Sequence, residues 1–118
     1  MPRRPDGALE REVLEVLWRA SSPMTPSDVL AELRGRLAYT TVMTVLGRLH
    51  DKGLVSRTMR GRAYAYRAEV TESELTARRM GEALAVAHDR AAALSGFISR
   101  LSKRDIAAVR RAMGEQSK

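Results

Sequence analysis

The chain has 118 residues, a length typical of one small domain or of a small domain with an appended segment. A hydrophobic fraction of 44% argues against a disordered chain, and an aromatic fraction of 4% implies a mostly aliphatic core. The net charge of +7 favours a polyanionic partner, with nucleic acid ahead of a membrane surface. The alternative is a soluble protein whose surface is simply rich in arginine.

Several classes of protein are excluded by what the sequence lacks. The absence of cysteine removes disulfides, thiol catalysis and thiolate metal sites, and it fits a reducing compartment. The basic start MPRRPDG is followed by LEREVLEVLWRA, whose regular charges do not form the apolar region of a signal peptide. No apolar run is long enough to cross a bilayer. We therefore expect a cytoplasmic protein that does not insert into a membrane.

Two helices are predicted in the first third of the chain. The first covers about residues 9–19, and Trp18 borders its apolar stripe, which consists of Leu9, Val13, Val16, Leu17 and Ala20. The segment TPSD starts the second helix, with Thr25 as N-cap and Pro26 at the first helical position. Its apolar side consists of Val29, Leu30 and Leu33. Gly35 is expected to end it.

A third helix follows after only a few residues, in the segment TTVMTVLGRLHDK. Its apolar stripe has the spacing i, i+3, i+4, i+7 and consists of Val42, Val45, Leu46 and Leu49. Gly53 is placed to terminate it. Two helices joined by so short a connection predict a helix-turn-helix.

Two short strands, LVSRT and AYAYR, are then predicted around the turn segment MRGR. A hairpin directly after three compact helices predicts a winged helix-turn-helix. Tyr64 and Tyr66 alternate with alanines and share one face of the hairpin. We expect both tyrosines to face the core, with stacking on bases as the alternative.

The last part of the chain is predicted to be helical. Thr71 and Glu74 form a capping box that opens a helix to about residue 88, and the pattern leaves its continuation through residues 89–101 open. Ser102 and Asp105 form another such box, which opens a final helix. Residues 71–118 carry apolar stripes but are too few for an independent core, so we expect them to pack against a second copy. The residues predicted to do so are Leu84, Leu94, Phe97, Ile98, Leu101, Ile106, Val109 and Met113.

The predicted fold is therefore mainly α with a small β-hairpin. Residues 1–70 are expected to form a winged-helix DNA-binding domain and residues 71–118 a helical dimerisation region. Positive charge is concentrated in the first of these: residues 39–67 contain six basic residues and one acidic residue, hence +5 of the net +7. This is the third helix and hairpin, the two elements that a winged helix presents to DNA.

The outward side of the third helix suits a major groove. Short hydroxyl side chains in its first turns can hydrogen-bond base edges or contact thymine methyl groups, so four residues are predicted to read bases: Thr40, Thr41, Met43 and Thr44. For Thr40, a role as N-cap is equally compatible with the pattern. Tyr39 either staples the start of the helix or touches a phosphate. The residues predicted to contact the DNA backbone are Tyr39, Arg48, Arg60 and Arg62, of which Arg60 and Arg62 flank Gly61 at the hairpin tip.

No enzyme is predicted. His50 and His88 are isolated, no glycine-rich phosphate loop is present, and no nucleophile stands with a base at a suitable spacing. We therefore expect no catalytic residues, no metal site and no cofactor.

Four segments can be compared with a known family: LEREVLEVLW, TTVMTVLGRLHDKGLV, GRAYAYRAEVTESE and LSKRDIAAVRRAM. In order and spacing they resemble the penicillinase repressor family, the BlaI/MecI type of bacterial winged-helix repressors. The resemblance extends over nearly the whole chain. It implies a homodimer on near-palindromic, double-stranded operator DNA upstream of β-lactam resistance genes and of the sensor operon.

The resemblance also implies release by a membrane sensor-protease or its signalling product. In the family the repressor is cleaved within the dimerisation region, before a phenylalanine that resembles Phe97; Gly96 here stands where well-known members have asparagine. Thr40 and Met43 occupy positions that are often basic in relatives, so we expect a different operator sequence. Because the chain lacks cysteine, it cannot use the cysteine cluster of the copper-responsive branch.

Two other functions fit the sequence. A protein-interaction module could dock an acidic partner on the basic face, and a small-molecule-sensing regulator could bind its ligand between the halves of a dimer.

Overall fold

The computed structural model describes residues 6–114 of the chain. Within this range lie six helices and one β-hairpin. In chain order they are α1 (Asp6–Arg19), α2 (Pro26–Glu32), α3 (Tyr39–Asp51), β1 (Val55–Arg60), β2 (Ala63–Ala68), α4 (Glu72–Ala85), α5 (Arg90–Ser99) and α6 (Lys103–Ala112). The mainly helical fold with a hairpin after α3 is the predicted winged helix-turn-helix. The chain divides into two compact units between Leu75 and Thr76.

The first unit is built around one aliphatic core. The apolar stripes predicted for α1, α2 and α3 all contribute to it, and the largest fully buried side chains are Val13, Leu14, Val29, Leu33, Val42, Leu46 and Leu49. Leu9 and Trp18 are only partly buried against this core, which confirms Trp18 as a border residue. Leu75, in the first turn of α4, is also buried in it.

The connection between α1 and α2 extends the hairpin. Met24 donates its N–H to the Tyr66 carbonyl at 2.9 Å, and the Tyr66 N–H donates to the Met24 carbonyl at 2.7 Å. The pair Met24–Tyr66 is an isolated antiparallel β-bridge on one edge of β2, and β1 pairs antiparallel with β2 along the other edge. The sequence of this connection predicts only a helix break, because a single bridge has no period that a pattern could reveal.

A two-residue loop closes the hairpin, since Arg60 pairs with Ala63. Gly61 has φ +67°, whereas Arg62 does not adopt a positive φ. Positive φ at the first loop residue alone is the pattern of a type II′ turn, in which glycine avoids the clash of a Cβ atom. The turn therefore places Arg62 at the outer end of the hairpin.

Helix starts follow the predicted capping residues at three of the sites. Thr25 accepts a hydrogen bond from the Asp28 N–H, and its own N–H donates to the Asp28 carboxylate. Thr71 and Glu74 make the same reciprocal pair at α4. At α6, Ser102 accepts from the Asp105 N–H at 3.0 Å.

The second unit begins within α4 and continues through α5 and α6. Its helices are separate: α4 ends at Ala85, three residues before the predicted end, and α5 starts at Arg90. Asp89 is the N-cap of α5, and its carboxylate accepts from the Ala92 N–H at 3.0 Å. The N-cap at Asp89 thus answers the question that the pattern left open. None of the residues 76–114 is buried. Within the described range, none of the helices is both long and apolar enough to span a bilayer.

One ion pair joins α1 to the end of α3. Lys52 donates to both carboxylate oxygens of Glu10 at 2.9 Å, and the Glu10 side chain is only 7% exposed. A nearly buried carboxylate without its cation would retain the cost of desolvation, so the pair is expected to matter more than a surface pair.

We expect Lys52→Met to lower the free energy of unfolding by about 1–3 kcal/mol, because Glu10 loses both hydrogen bonds. Urea unfolding followed by circular dichroism measures this. Arg48→Met is the matched control, since it removes an exposed cation of the same helix and should change stability by less than about 0.5 kcal/mol. Equal losses in the two variants would show that the ion pair contributes nothing particular.

Candidate nucleic-acid interface

Helix α3 presents its predicted base-reading residues on the side away from the core. Burial of its apolar stripe leaves Thr40, Met43 and Thr44 exposed, with Met43 at 46% exposure. Arg48 is exposed one turn further on. Thr41 lies at the edge of the outward side. It is half-buried and therefore less accessible than Thr40, Met43 and Thr44.

The start of α3 excludes one of the two roles predicted for Thr40, that of N-cap. The N-cap is Ala38, no side chain caps the helix, and Tyr39 is its first residue. Thr40 therefore lies in the first turn and is not the N-cap. Because the N–H groups of a first turn lack intrahelical acceptors, this end of α3 offers donors to an external anion. Tyr39 beside it is 45% exposed.

Local carboxylates divide the basic residues of α3 and the hairpin into two groups. Lys52 is paired with Glu10, Arg60 with Asp28, and Arg67 with Glu69 at 3.6 Å. Within residues 6–114, Arg48, Arg57 and Arg62 have no carboxylate partner. These three cations are the part of the +5 cluster whose charge is not neutralised by a neighbouring side chain.

Arg60 contacts the protein itself. Its guanidinium donates to the Asp28 carboxylate at 2.7 Å and to the Pro23 carbonyl at 3.3 Å. It therefore ties the outer end of β1 to the start of α2. Arg60 is predicted to contact the DNA backbone, but a phosphate would have to compete with Asp28, because the guanidinium already makes a charge-assisted hydrogen bond to that carboxylate.

Hydrogen bonds and charge stabilise Asp28 as a carboxylate. The pKa of Asp28 lies below its ordinary value of 3.8, chiefly because the Thr25 backbone N–H donates to it, with further contributions from the Thr25 hydroxyl and the Arg60 guanidinium. The capping box of α2 and the anchor of the hairpin thus share one carboxylate.

The two tyrosines of β2 have different environments. Tyr66 is 5% exposed and belongs to the core, as predicted, but Tyr64 is 40% exposed, so the expectation of a core position was wrong for Tyr64. The core lies only beneath the base of the hairpin, and the same face continues outward beyond it. There the Arg57 guanidinium carbon lies 4.1 Å from the centroid of the Tyr64 ring. Sequence analysis did not single out Arg57; its diagonal position across the strands from Tyr64 is the signal that could have identified it.

A shallow groove of about 640 Å³ lies elsewhere in the first unit, on the side of α1 and the segment after β2. Trp18 forms one wall, and its indole N–H already donates to the Val70 carbonyl at 2.8 Å. None of the residues predicted to bind DNA lines this groove. Among the described residues, no three potential metal ligands from His, Cys, Asp and Glu are grouped.

Known proteins are similar to this chain in sequence and in structure. The sequence model described as penicillinase repressor matches residues 7–115. The chain belongs to the penicillinase repressor family. It is 44% identical over 114 residues to the transcriptional regulator BlaI of Mycobacterium tuberculosis, covering 92% of this chain and 83% of that protein. Because the family is one of repressors, membership also supports the expectation that the chain is not an enzyme.

Solved structures of BlaI repressors are similar to part of this chain. The solution structure of the DNA-binding domain of the repressor BlaI superimposes with a TM-score of 0.50 at 31% identity, covering 62% of this chain and 88% of that domain. The monomeric form of Bacillus licheniformis BlaI in complex with the blaP half-operator is also similar, with a TM-score of 0.47 at 32% identity and the same coverage of 62% and 88%.

The lowered pKa of Asp28 leads to a prediction about the stability of the fold in acid. Its folded-state pKa is lowered, so it stabilises the fold above the ordinary value of 3.8, and this contribution is lost as the pH falls through the folded-state pKa. We expect Asp28→Asn to unfold more easily than wild type at about pH 6, and the difference in unfolding free energy to shrink towards about pH 2.

Urea unfolding across this pH range measures the difference, with Asp51→Asn as a control that removes an exposed carboxylate at the C-terminal end of α3. A difference between wild type and Asp28→Asn that stays constant with pH would contradict the linkage.

Proposed function

We propose that this chain is a homodimeric transcriptional repressor that binds operator DNA through α3 and the hairpin. The observation that carries the proposal is the outward side of α3, where Thr40, Thr44 and Arg48 are exposed. The chain that presents this side belongs to the penicillinase repressor family. Support comes from the relative whose corresponding domain is named as DNA-binding. Such a repressor acts in the cytoplasm, where bacterial operators lie.

In this proposal the side chains divide into base-reading and backbone contacts. Thr40, Met43 and Thr44 face the bases from α3, and Thr41 reaches a base from the edge of the same side. Arg48, Arg62 and Tyr39 bind phosphates, which position the helix without reading sequence. Arg60 is assigned a smaller part than the sequence suggested, because Asp28 already occupies it.

DNA binding is proposed for the first unit, residues 1–75, and dimerisation for the second unit, residues 76–118. Its apolar side chains have no core of their own: Phe97 is 48% exposed, Leu94 46% and Ile98 42%. With Leu101 these residues have the spacing i, i+3, i+4, i+7 and form one stripe. Leu84, Ile106 and Val109 are half-buried and Met113 is 71% exposed. A stripe of this kind is stable in water when a second copy covers it.

A symmetric dimer implies a near-palindromic operator. Its half-sites would be about 10 bp apart, or a multiple of this, because each α3 must enter the major groove on the same side of the duplex. Selection of genomic fragments with the purified full-length protein tests this directly, since it yields the operator, the spacing and the neighbouring genes. Recovery of no enriched sequence would contradict the proposed function.

Release by a sensor-protease or its signalling product is the finer part of the proposal. The Gly96–Phe97 bond lies inside α5, and the Gly96 carbonyl accepts from the Ser99 hydroxyl at 2.9 Å. A protease that binds an extended substrate would first have to open this turn. Gly96 lowers that cost, because glycine destabilises a helix interior by roughly 1 kcal/mol relative to alanine.

Thr44→Ala and Arg62→Ala are expected to weaken operator binding in different ways. Loss of the Thr44 contact should relax preference at one base position of each half-site, whereas Arg62→Ala should weaken binding to all duplexes alike and lower the salt slope by about 1 per protomer. Titration of duplex variants at several salt concentrations measures both. A uniform loss for Thr44→Ala would remove Thr44 from base reading, and an unchanged slope for Arg62→Ala would remove the hairpin tip from the interface.

Full-length protein is expected to sediment as a dimer at micromolar concentration, and Phe97→Asp to shift it towards monomer, because a carboxylate cannot be buried in the apolar stripe without a partner. Ala92→Asp is the matched control: it lies on the opposite side of α5, in a first turn that favours acidic residues. Monomeric wild type, or equal dissociation of both variants, would contradict the proposed interface.

A further inference from the structure

The outer part of one hairpin face carries exposed residues that the proposed interface has not used. Met59 pairs with Tyr64 across the strands and Arg57 pairs with Tyr66, so all four share this face. Near the core the face is closed by Val55 and Tyr66, which are 3% and 5% exposed. Towards the turn it opens, with Met59 at 59% and Tyr64 at 40% exposure.

Two tyrosine rings hold Arg57 on this face. Its guanidinium lies over Tyr64, and the Tyr64 ring meets the edge of the Tyr66 ring at a centroid distance of 6.4 Å and an interplanar angle of 67°. Tyr66 is itself fixed by the two backbone hydrogen bonds to Met24. The guanidinium is therefore oriented before any partner arrives, which reduces the conformational entropy lost on binding.

The opposite face of the hairpin differs in charge. It carries Arg60 and Arg67, whose guanidinium groups lie beside Asp28 and Glu69. Arg57 has no carboxylate partner among the described residues. Because the Tyr64 ring contacts the flat face of the guanidinium, the five N–H donors around the edge of that group remain available. Only the Arg57 face thus combines an unneutralised, oriented arginine with apolar neighbours.

We propose that Arg57, oriented by Tyr64, enters the minor groove beside each half-site and gives the protein a preference for A·T-rich flanks. The inference rests on the proposed operator binding and adds a specificity-determining residue to it. A·T-rich tracts have a narrow minor groove with enhanced negative potential, which attracts arginine. Met59 beside Arg57 suits the apolar sugar walls of a groove, whereas a phosphate contact would leave it in water.

The test uses full-length protein and duplexes selected from a randomised library with the wild type. Each selected half-site is then flanked by either A·T or G·C pairs, and affinity is measured by fluorescence anisotropy at several salt concentrations. Wild type should prefer the A·T flank by about fivefold. Arg57→Ala should abolish this preference and lower the salt slope by about 1 per protomer.

Four further variants separate the contributions of the arginine's planar group, of the Tyr64 ring and of charge elsewhere on the hairpin. Arg57→Lys should keep the salt slope but lose most of the preference, because lysine lacks the planar group. Tyr64→Leu should do the same through loss of orientation, while Tyr64→Phe retains the preference. Arg67→Ala, a charge-matched control on the other face, should keep it as well.

The outcomes are distinguishable from failure of the proposed function. If wild type selects no sequence, operator binding itself is overturned. If wild type selects an operator but Arg57→Ala retains the flank preference, the role of Arg57 is overturned while operator binding stands. A loss of affinity in Arg57→Ala that is equal for both flanks also overturns the minor-groove assignment, because it describes a phosphate contact.

Discussion

Burial of one side of α3 is the constraint on which the proposed interface depends. Val42, Val45, Leu46 and Leu49 are all at most 2% exposed in a core shared with α1, α2 and the hairpin base. Full burial of each such side chain is worth about 1.5–3 kcal/mol, so the helix cannot rotate about its axis without losing most of this energy. The successive rotation of about 100° per residue then directs Thr40, Thr44 and Arg48 outward. The outward side is thus determined by the packing of the inward side.

Charge on the first unit is organised by a few carboxylates. Glu10, Asp28 and Glu69 each pair with one basic residue, and two of these pairs serve structure: Glu10 joins α1 to α3, and Asp28 joins α2 to β1. Among the described basic residues of α3 and the hairpin, the arginines without a carboxylate partner are Arg48 on α3, Arg62 at the turn and Arg57 on the outer face of the hairpin. A strongly basic segment therefore need not use every cation for its partner, because some of them hold the binding surface in shape.

The second unit follows a different physical rule. Its helices are regular, but none of the residues 76–114 is buried within the chain. Several large apolar side chains on helices that do not enclose them support the proposal that a second copy covers them. The same helix that carries the central stripe, α5, also contains Gly96 and Phe97, so association and the proposed cleavage would depend on one element.

Much of this fold was predictable from local patterns. The stripes of α1 to α3, the N-cap at Thr25, the capping box at Thr71 and the cap that Ser102 forms with Asp105 act over three to seven residues, and local rules describe such distances well. The family was recognisable from the order of four segments. Those same patterns misplaced Tyr64 and could not say that α3 starts at Tyr39 without a side-chain cap.

What the sequence by itself determined was therefore the kind of each element and which of its sides is apolar. The tertiary structure alone decided which basic residues are neutralised, because Asp28 and Arg60, or Glu10 and Lys52, are 32 and 42 positions apart and meet only when the core forms. It also decided where the core ends beneath the hairpin. That limit separates Tyr66 inside from Tyr64 outside, although both lie on the same face of one strand.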